Sequence, residues 1–105
     1  MRCLTMNTKQ NQKNLFKAIA LLHNTQEAET LFTDLCTPAE LRVMSDRLGL
    51  IDLIKQGVSY RKIYEKTGIS VTTIGRVARC MQHGSGGYDL IYKRLKEKKR
   101  NDDTK

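Results

Sequence analysis

Few residues of this 105-residue chain are of types that could do covalent or metal chemistry. Cys80 and His83 stand in a Cys-x-x-His spacing that would suit a metal. A structural zinc site needs four ligands, however, and only Cys3, Cys36 and His23 remain, all distant in sequence. The same scarcity argues against a Cys/His nucleophile pair. No P-loop, dinucleotide fingerprint or paired-carboxylate motif appears, so nothing points to an enzyme and no metal is expected. Between Ser59 and Gln82 the chemistry is cationic: Arg61, Lys62, Lys66, Arg76 and Arg79 stand against Glu65 alone. Such a cluster attracts phosphate, and counterion release adds to the binding free energy.

The charge is concentrated rather than spread. Residues 1–56 hold seven Lys/Arg and six Asp/Glu, whereas residues 57–105 hold twelve and five, so nearly all of the net +8 lies in the second half. Three cysteines, widely spaced and odd in number, do not make a disulfide framework, which suggests a reducing, cytoplasmic location. No apolar run approaches the roughly 18 residues that a membrane span needs. The N-terminus lacks a signal-peptide apolar region. Met6 is an alternative natural start, which would leave out Cys3.

The elements that must position these cations read as helices, and the expected fold is all-α in one domain. Leu15, Ala18, Ile19 and Leu22 share a face of a helix over 8–23; Ala28, Leu31, Phe32 and Leu35 do so over 25–35, with Asn24 and Glu27 as a capping box. Thr37, Pro38 and Glu40 open a third helix that Gly57 ends near Gln56. Its stripe of Leu41, Met44, Leu48 and Ile51 is widened by Leu50, Leu53 and Ile54, more apolar surface than one neighbour covers. That predicts a dimer core built from helices over about 8–56.

From about Ser59 to Gln82 the spacing predicts a helix-turn-helix. Ser59 and Ser70 cap its two helices, and Gly68 supplies the left-handed residue of the turn. Ile63 and Ile74, five before and six after that glycine, pack together to fix the angle. Tyr64 departs from the pattern, which usually has a small residue there. Ile74, Val77, Ala78 and Met81 form the buried face of the second helix. Val71, Thr72 and Thr73, in its first turn, would face base edges in a major groove, while Arg61, Lys62, Lys66 and Arg79 would meet phosphates or bases. The alternative is a helical hairpin that only packs. His83 to Gly87 reads as a glycine loop, and a last helix over about 87–99 buries Tyr88, Ile91, Tyr92 and Leu95. The Lys93–Arg100 run is a solvated helix end or an additional source of nonspecific DNA attraction.

Leu35-Cys-Thr-Pro-Ala-Glu40, Arg47, the stretch Gly57 to Arg76 and Arg79-Cys-Met-Gln-His-Gly-Ser-Gly-Gly-Tyr88 resemble the Trp repressor superfamily over roughly residues 10–96. The Gly-Ser-Gly-Gly-Tyr loop is typical of its YerC/YecD branch. The resemblance implies an intertwined, all-helical homodimer that binds an operator in double-stranded DNA and represses transcription. It implies that Arg61, Val71, Thr72 and Thr73 meet DNA, and that Thr37, Arg47 and Arg76 correspond to a tryptophan pocket. Val77 stands where the repressor has glycine beside the indole, and Cys80 where it has a serine near the ligand's amino group. A valine fills a slot made for a flat ring, so tryptophan is not expected as a cofactor, while a different small-molecule corepressor stays open. Arg47 and Arg76 could instead pair with Asp46 or Asp52. The rival function is a helical interaction module that keeps the fold for dimerisation without reading DNA.

Overall fold

A computed structural model describes residues 7–103. Among them lie six helices and no strand: α1 (Thr8–Ala20), α2 (Thr25–Leu35), α3 (Pro38–Lys55), α4 (Tyr60–Thr67), α5 (Val71–His83) and α6 (Gly87–Asp103). Cys3 and the alternative start at Met6 lie outside the described residues. The helices group into two compact units, one up to Leu41 and one from Arg42 onward, so the division falls within the first turns of α3.

Side-chain caps set the helix starts of the first unit. Asn7 accepts from the Gln10 amide and Asn24 from the Glu27 amide. The expected capping box at Asn24 is altered: Glu27 reaches one residue further back and accepts the His23 amide at 2.7 Å. The box at α3 is reciprocal, with the Glu40 amide on the Thr37 hydroxyl and the Thr37 amide on the Glu40 carboxylate. α1 stops at Ala20, three residues short of expectation. Leu21 and Leu22 donate to Ala18 and Ile19, so its end tightens into i to i+3 bonds that no apolar spacing announces. Neither α1 nor α2 contains a buried residue. Leu15, Ile19, Leu22, Ala28, Leu31 and Phe32 are half-buried, while Phe16, Leu21 and Leu35 are exposed.

The second unit closes on a core. Leu50, Ile63, Ile74 and Val77 are fully buried, with Leu53, Ile54, Val58, Ile69, Met81 and Tyr88 packed around them. α3 ends where Gly57 turns left-handed (φ 79°). The Gly57 and Val58 amides donate back to Ile54 and Leu53, which satisfies carbonyls that the helix end would leave open. Of the expected stripe Ile51 is buried and Leu41 half-buried, while Met44 and Leu48 remain exposed; the core side of α3 is carried by Leu50, with Leu53 and Ile54, the residues expected only to widen that stripe.

α6 runs back along α3. Lys55 pairs with Asp89 at 2.9 Å, the Tyr92 hydroxyl donates to Asp52 at 2.9 Å, and Leu95 and Lys99 come alongside Leu48. Lys55 and Lys96 lie over the Tyr92 ring at 5.1 and 5.3 Å. Asp52, 3.6 Å from the Lys96 ammonium, and then Tyr92 raise the Lys96 pKa above its usual value. Two expectations for α6 are corrected. It continues to Asp103 rather than to about residue 99: the good helix formers from Leu95 to Arg100 carry it past that point, and it ends among the poorer ones, Asn101, Asp102 and Asp103. Its inner face is Tyr88 and Tyr92, while Ile91 and Leu95 are exposed.

Candidate nucleic-acid interface

The helix-turn-helix is built from local rules that its sequence satisfies. Ser59 accepts the Lys62 amide and Ser70 the Thr73 amide, so each helix starts on a serine cap. Gly68 takes φ 77° and its amide donates to the Tyr64 carbonyl, which ends α4. The Thr67 hydroxyl donates to Ile63 and accepts from the Ile69 amide, locking the turn. Ile63 and Ile74 meet in the core with no exposed surface. Tyr64 is about half exposed, so its bulk points away from the packed interface and the departure from a small residue costs nothing there. α5 extends one residue beyond the expected end, to His83.

This scaffold leaves the cationic side outward. Arg61, Lys62, Lys66, Arg76 and Arg79 are all exposed. Only Arg61 among them has an ion-pair partner among the described residues, Glu65 at 3.5 Å on the same helix; such a surface pair contributes little. In the first turn of α5, Val71 and Thr72 are exposed. Thr73 is half-buried and its hydroxyl accepts from Ser70, so it is partly committed to the cap. Thr72 is thus the better-presented hydroxyl, a distinction that residue type alone did not make.

An open groove of about 810 Å³ follows the outer side of α5, lined by Thr72, Arg76, Arg79, Cys80 and His83 among others, with Tyr60 across from Gly75. Gly84 closes its end. A Cβ there would meet the Cys80 carbonyl at 2.5 Å and its sulfur at 2.8 Å, so the backbone approach needs glycine.

The residues expected to form a ligand pocket have distinct surroundings. Arg76 and Cys80 share the groove. Val77 is turned the other way, 1% exposed in the core. Arg47 is half-buried, and its Nε is buried with no hydrogen-bond partner among the described residues. Neither arginine takes Asp46 or Asp52 as a partner; Asp52 serves Tyr92, Lys96 and Gln56 instead. Thr37, in the first unit, caps α3. No cluster of metal-ligating side chains occurs among the described residues.

Comparison with known proteins agrees with this construction. The family model for the Trp repressor protein matches residues 10–96. The chain belongs to the Trp repressor family. This Trp repressor family member is 37% identical over 83 residues to YerC of Bacillus subtilis strain 168, a protein of uncharacterised function, covering 79% of this chain and 80% of that one. Its fold is similar to the crystal structure of a candidate Trp repressor from Staphylococcus aureus, with 36% identity, TM-score 0.76, and coverage of 88% and 96% of the two chains. It is likewise similar to a TrpR-like protein from Eubacterium eligens ATCC 27750, with 38% identity, TM-score 0.76, and coverage of 85% and 95%. The Trp repressor family comprises DNA-binding regulators rather than enzymes. No helix among the described residues is long and apolar enough to cross a membrane.

Proposed function

We propose that this protein is a cytoplasmic, sequence-specific DNA-binding transcriptional regulator that represses from a two-fold operator as an intertwined homodimer. The observation that carries this reading is the outer side of the helix-turn-helix. A fully packed Ile63–Ile74 hinge presents the exposed first turn of α5 beside five exposed cations. A recognition helix enters the major groove by its N-terminal turn, with phosphate contacts fixing its register. Two-fold symmetry would place the half-sites about 34–36 Å apart, one turn of duplex.

The dimer is supported by surface that the chain alone leaves uncovered. Phe16 and Leu21 of α1, Leu35 of α2, and Met44 and Leu48 of α3 are exposed. In this reading tryptophan is not the corepressor, because Cys80 offers a thiol where a hydroxyl is needed. A different small molecule, held by Arg47 and Arg76, is the form of corepressor the reading allows.

Selection of bound duplexes from a random pool, followed by fluorescence anisotropy across a salt series, tests this function. The reading expects one enriched motif with two-fold symmetry and an affinity that falls steeply with salt. A pool that stays random, with no salt-dependent binding, would leave a helical interaction module as the function. Light scattering after size exclusion should report about twice 12.0 kDa.

A further inference from the structure

The helix-turn-helix does not use the largest cationic run of the chain. Residues 93–100 of α6 hold six Lys/Arg and the single acid Glu97. All eight are exposed. Lys96 is held by Asp52 and Tyr92, but Lys93, Arg94, Lys98, Lys99 and Arg100 form no ion pair among the described residues, not even with Glu97 within one turn of several of them. Like-charged side chains three and four residues apart on a helix repel each other. Lys96 makes such pairs with Lys93, Lys99 and Arg100, so the helix carries this charge at some cost. Its first turns are fixed to α3 through Lys55–Asp89 and Tyr92–Asp52, so α6 is a docked rod rather than a loose tail. The segment after Lys96 lies beyond the part of the chain that the family model matches.

We propose that Lys93, Arg94, Lys98 and Arg100, on the outer half of α6, form a second phosphate-binding surface, which adds sequence-independent contacts to the backbone of duplex DNA; Lys99, beside Leu48 of α3, is not part of it. The proposal rests on the DNA-binding reading above. A polyanion is the occupant that this surface fits. The surface offers unpaired cations on a docked helix, and phosphates line a duplex of any sequence, so the contacts it adds are electrostatic and indifferent to sequence. Its role is to raise affinity and speed encounter, leaving discrimination to α5.

The test uses the full chain with Lys93→Gln, Lys98→Gln and Arg100→Gln combined, beside a Lys93→Arg, Lys98→Arg variant that keeps the charge. Anisotropy on the selected operator and on a scrambled duplex is measured across a salt series, with circular dichroism as the control for helix content. The glutamine variant should bind both duplexes more weakly, on the order of tenfold at low salt. Its salt slope should fall by about 0.9 for each phosphate contact removed. The operator-to-scrambled ratio should not move, and the arginine variant should match the wild type. A glutamine variant with wild-type affinity and slope overturns this inference alone. A wild type that binds neither duplex overturns the DNA reading and this surface with it. Loss of binding to vesicles of phosphatidylcholine with one quarter phosphatidylserine, with duplex binding unchanged, would assign the surface to a membrane instead and overturn the proposal.

Discussion

The two units of this chain use the same helical grammar and end in different states. In the first, α1 and α2 are capped by Asn7 and Asn24 and carry apolar residues at helical spacing, yet contain no buried residue. In the second, α3, α4 and α5 close over Leu50, Ile63, Ile74 and Val77, all essentially inaccessible to water. Amphipathic spacing and caps suffice to make a helix, but a core needs faces that meet. The second unit supplies those faces through tight turns at Gly57 and Gly68. The first offers half-covered stripes that a second chain would complete. The comparison separates a unit that closes on its own core from one whose apolar surface is still open.

The largest effect should come from the closed core. Ile74→Ala removes a fully buried side chain at the centre of the helix-turn-helix and should cost about 2–5 kcal/mol in a urea melt. A cost below about 1 kcal/mol would mean that the second unit is not held by this core. Next is the open unit. Phe16→Ser with Leu21→Ser removes exposed apolar surface, so a monomer's stability should hardly change. If that surface is the interface, the light-scattering mass falls toward 12.0 kDa and the melt loses its dependence on protein concentration. An unchanged dimer mass would place the interface elsewhere.

Gly84→Ala probes the end of α5, at the edge of the closed unit. Its Cβ would press on the Cys80 carbonyl, a backbone atom that cannot swing aside, so a loss of about 1–3 kcal/mol is expected. The smallest effect is predicted for L-tryptophan. A ligand at a hundred times its dissociation constant stabilises by about 2.7 kcal/mol, but millimolar tryptophan should leave the melting temperature unmoved. A clear rise would mean that tryptophan is a ligand after all and that the Cys80 thiol does not exclude it.

Much of this architecture was legible because its rules are local. Thr37, Pro38 and Glu40 specify the start of α3 within four residues, and Ser59, Gly68 and Ser70 specify the helix-turn-helix within twelve. The second-helix face of Ile74, Val77, Ala78 and Met81 was likewise readable from spacing. What escaped depends on contacts between residues far apart. That Leu50 is buried while Met44 and Leu48 are exposed is set by the helices packed on α3, not by the periodicity of α3. Asp52 and Tyr92 bond across forty positions, and neither residue announces the other. Gly84 looked like loop punctuation, whereas its lack of a side chain is required by the Cys80 backbone. At the candidate site, cation identity was readable from composition. The commitment of the Thr73 hydroxyl to Ser70 was not, because it depends on the rotamers of the cap.

In the proposed function α5 reads bases while the flanking cations hold phosphate. The most direct test is fluorescence anisotropy of the wild type, Thr72→Ala and Lys62→Ala on the selected operator and a scrambled duplex, over a salt series. Thr72→Ala should lose about 1–3 kcal/mol of discrimination and keep its nonspecific affinity. Lys62→Ala should weaken both duplexes alike and lower the salt slope by about one per subunit. Equal affinity for operator and scrambled duplex in the wild type, or no loss of discrimination in Thr72→Ala, would contradict the claim.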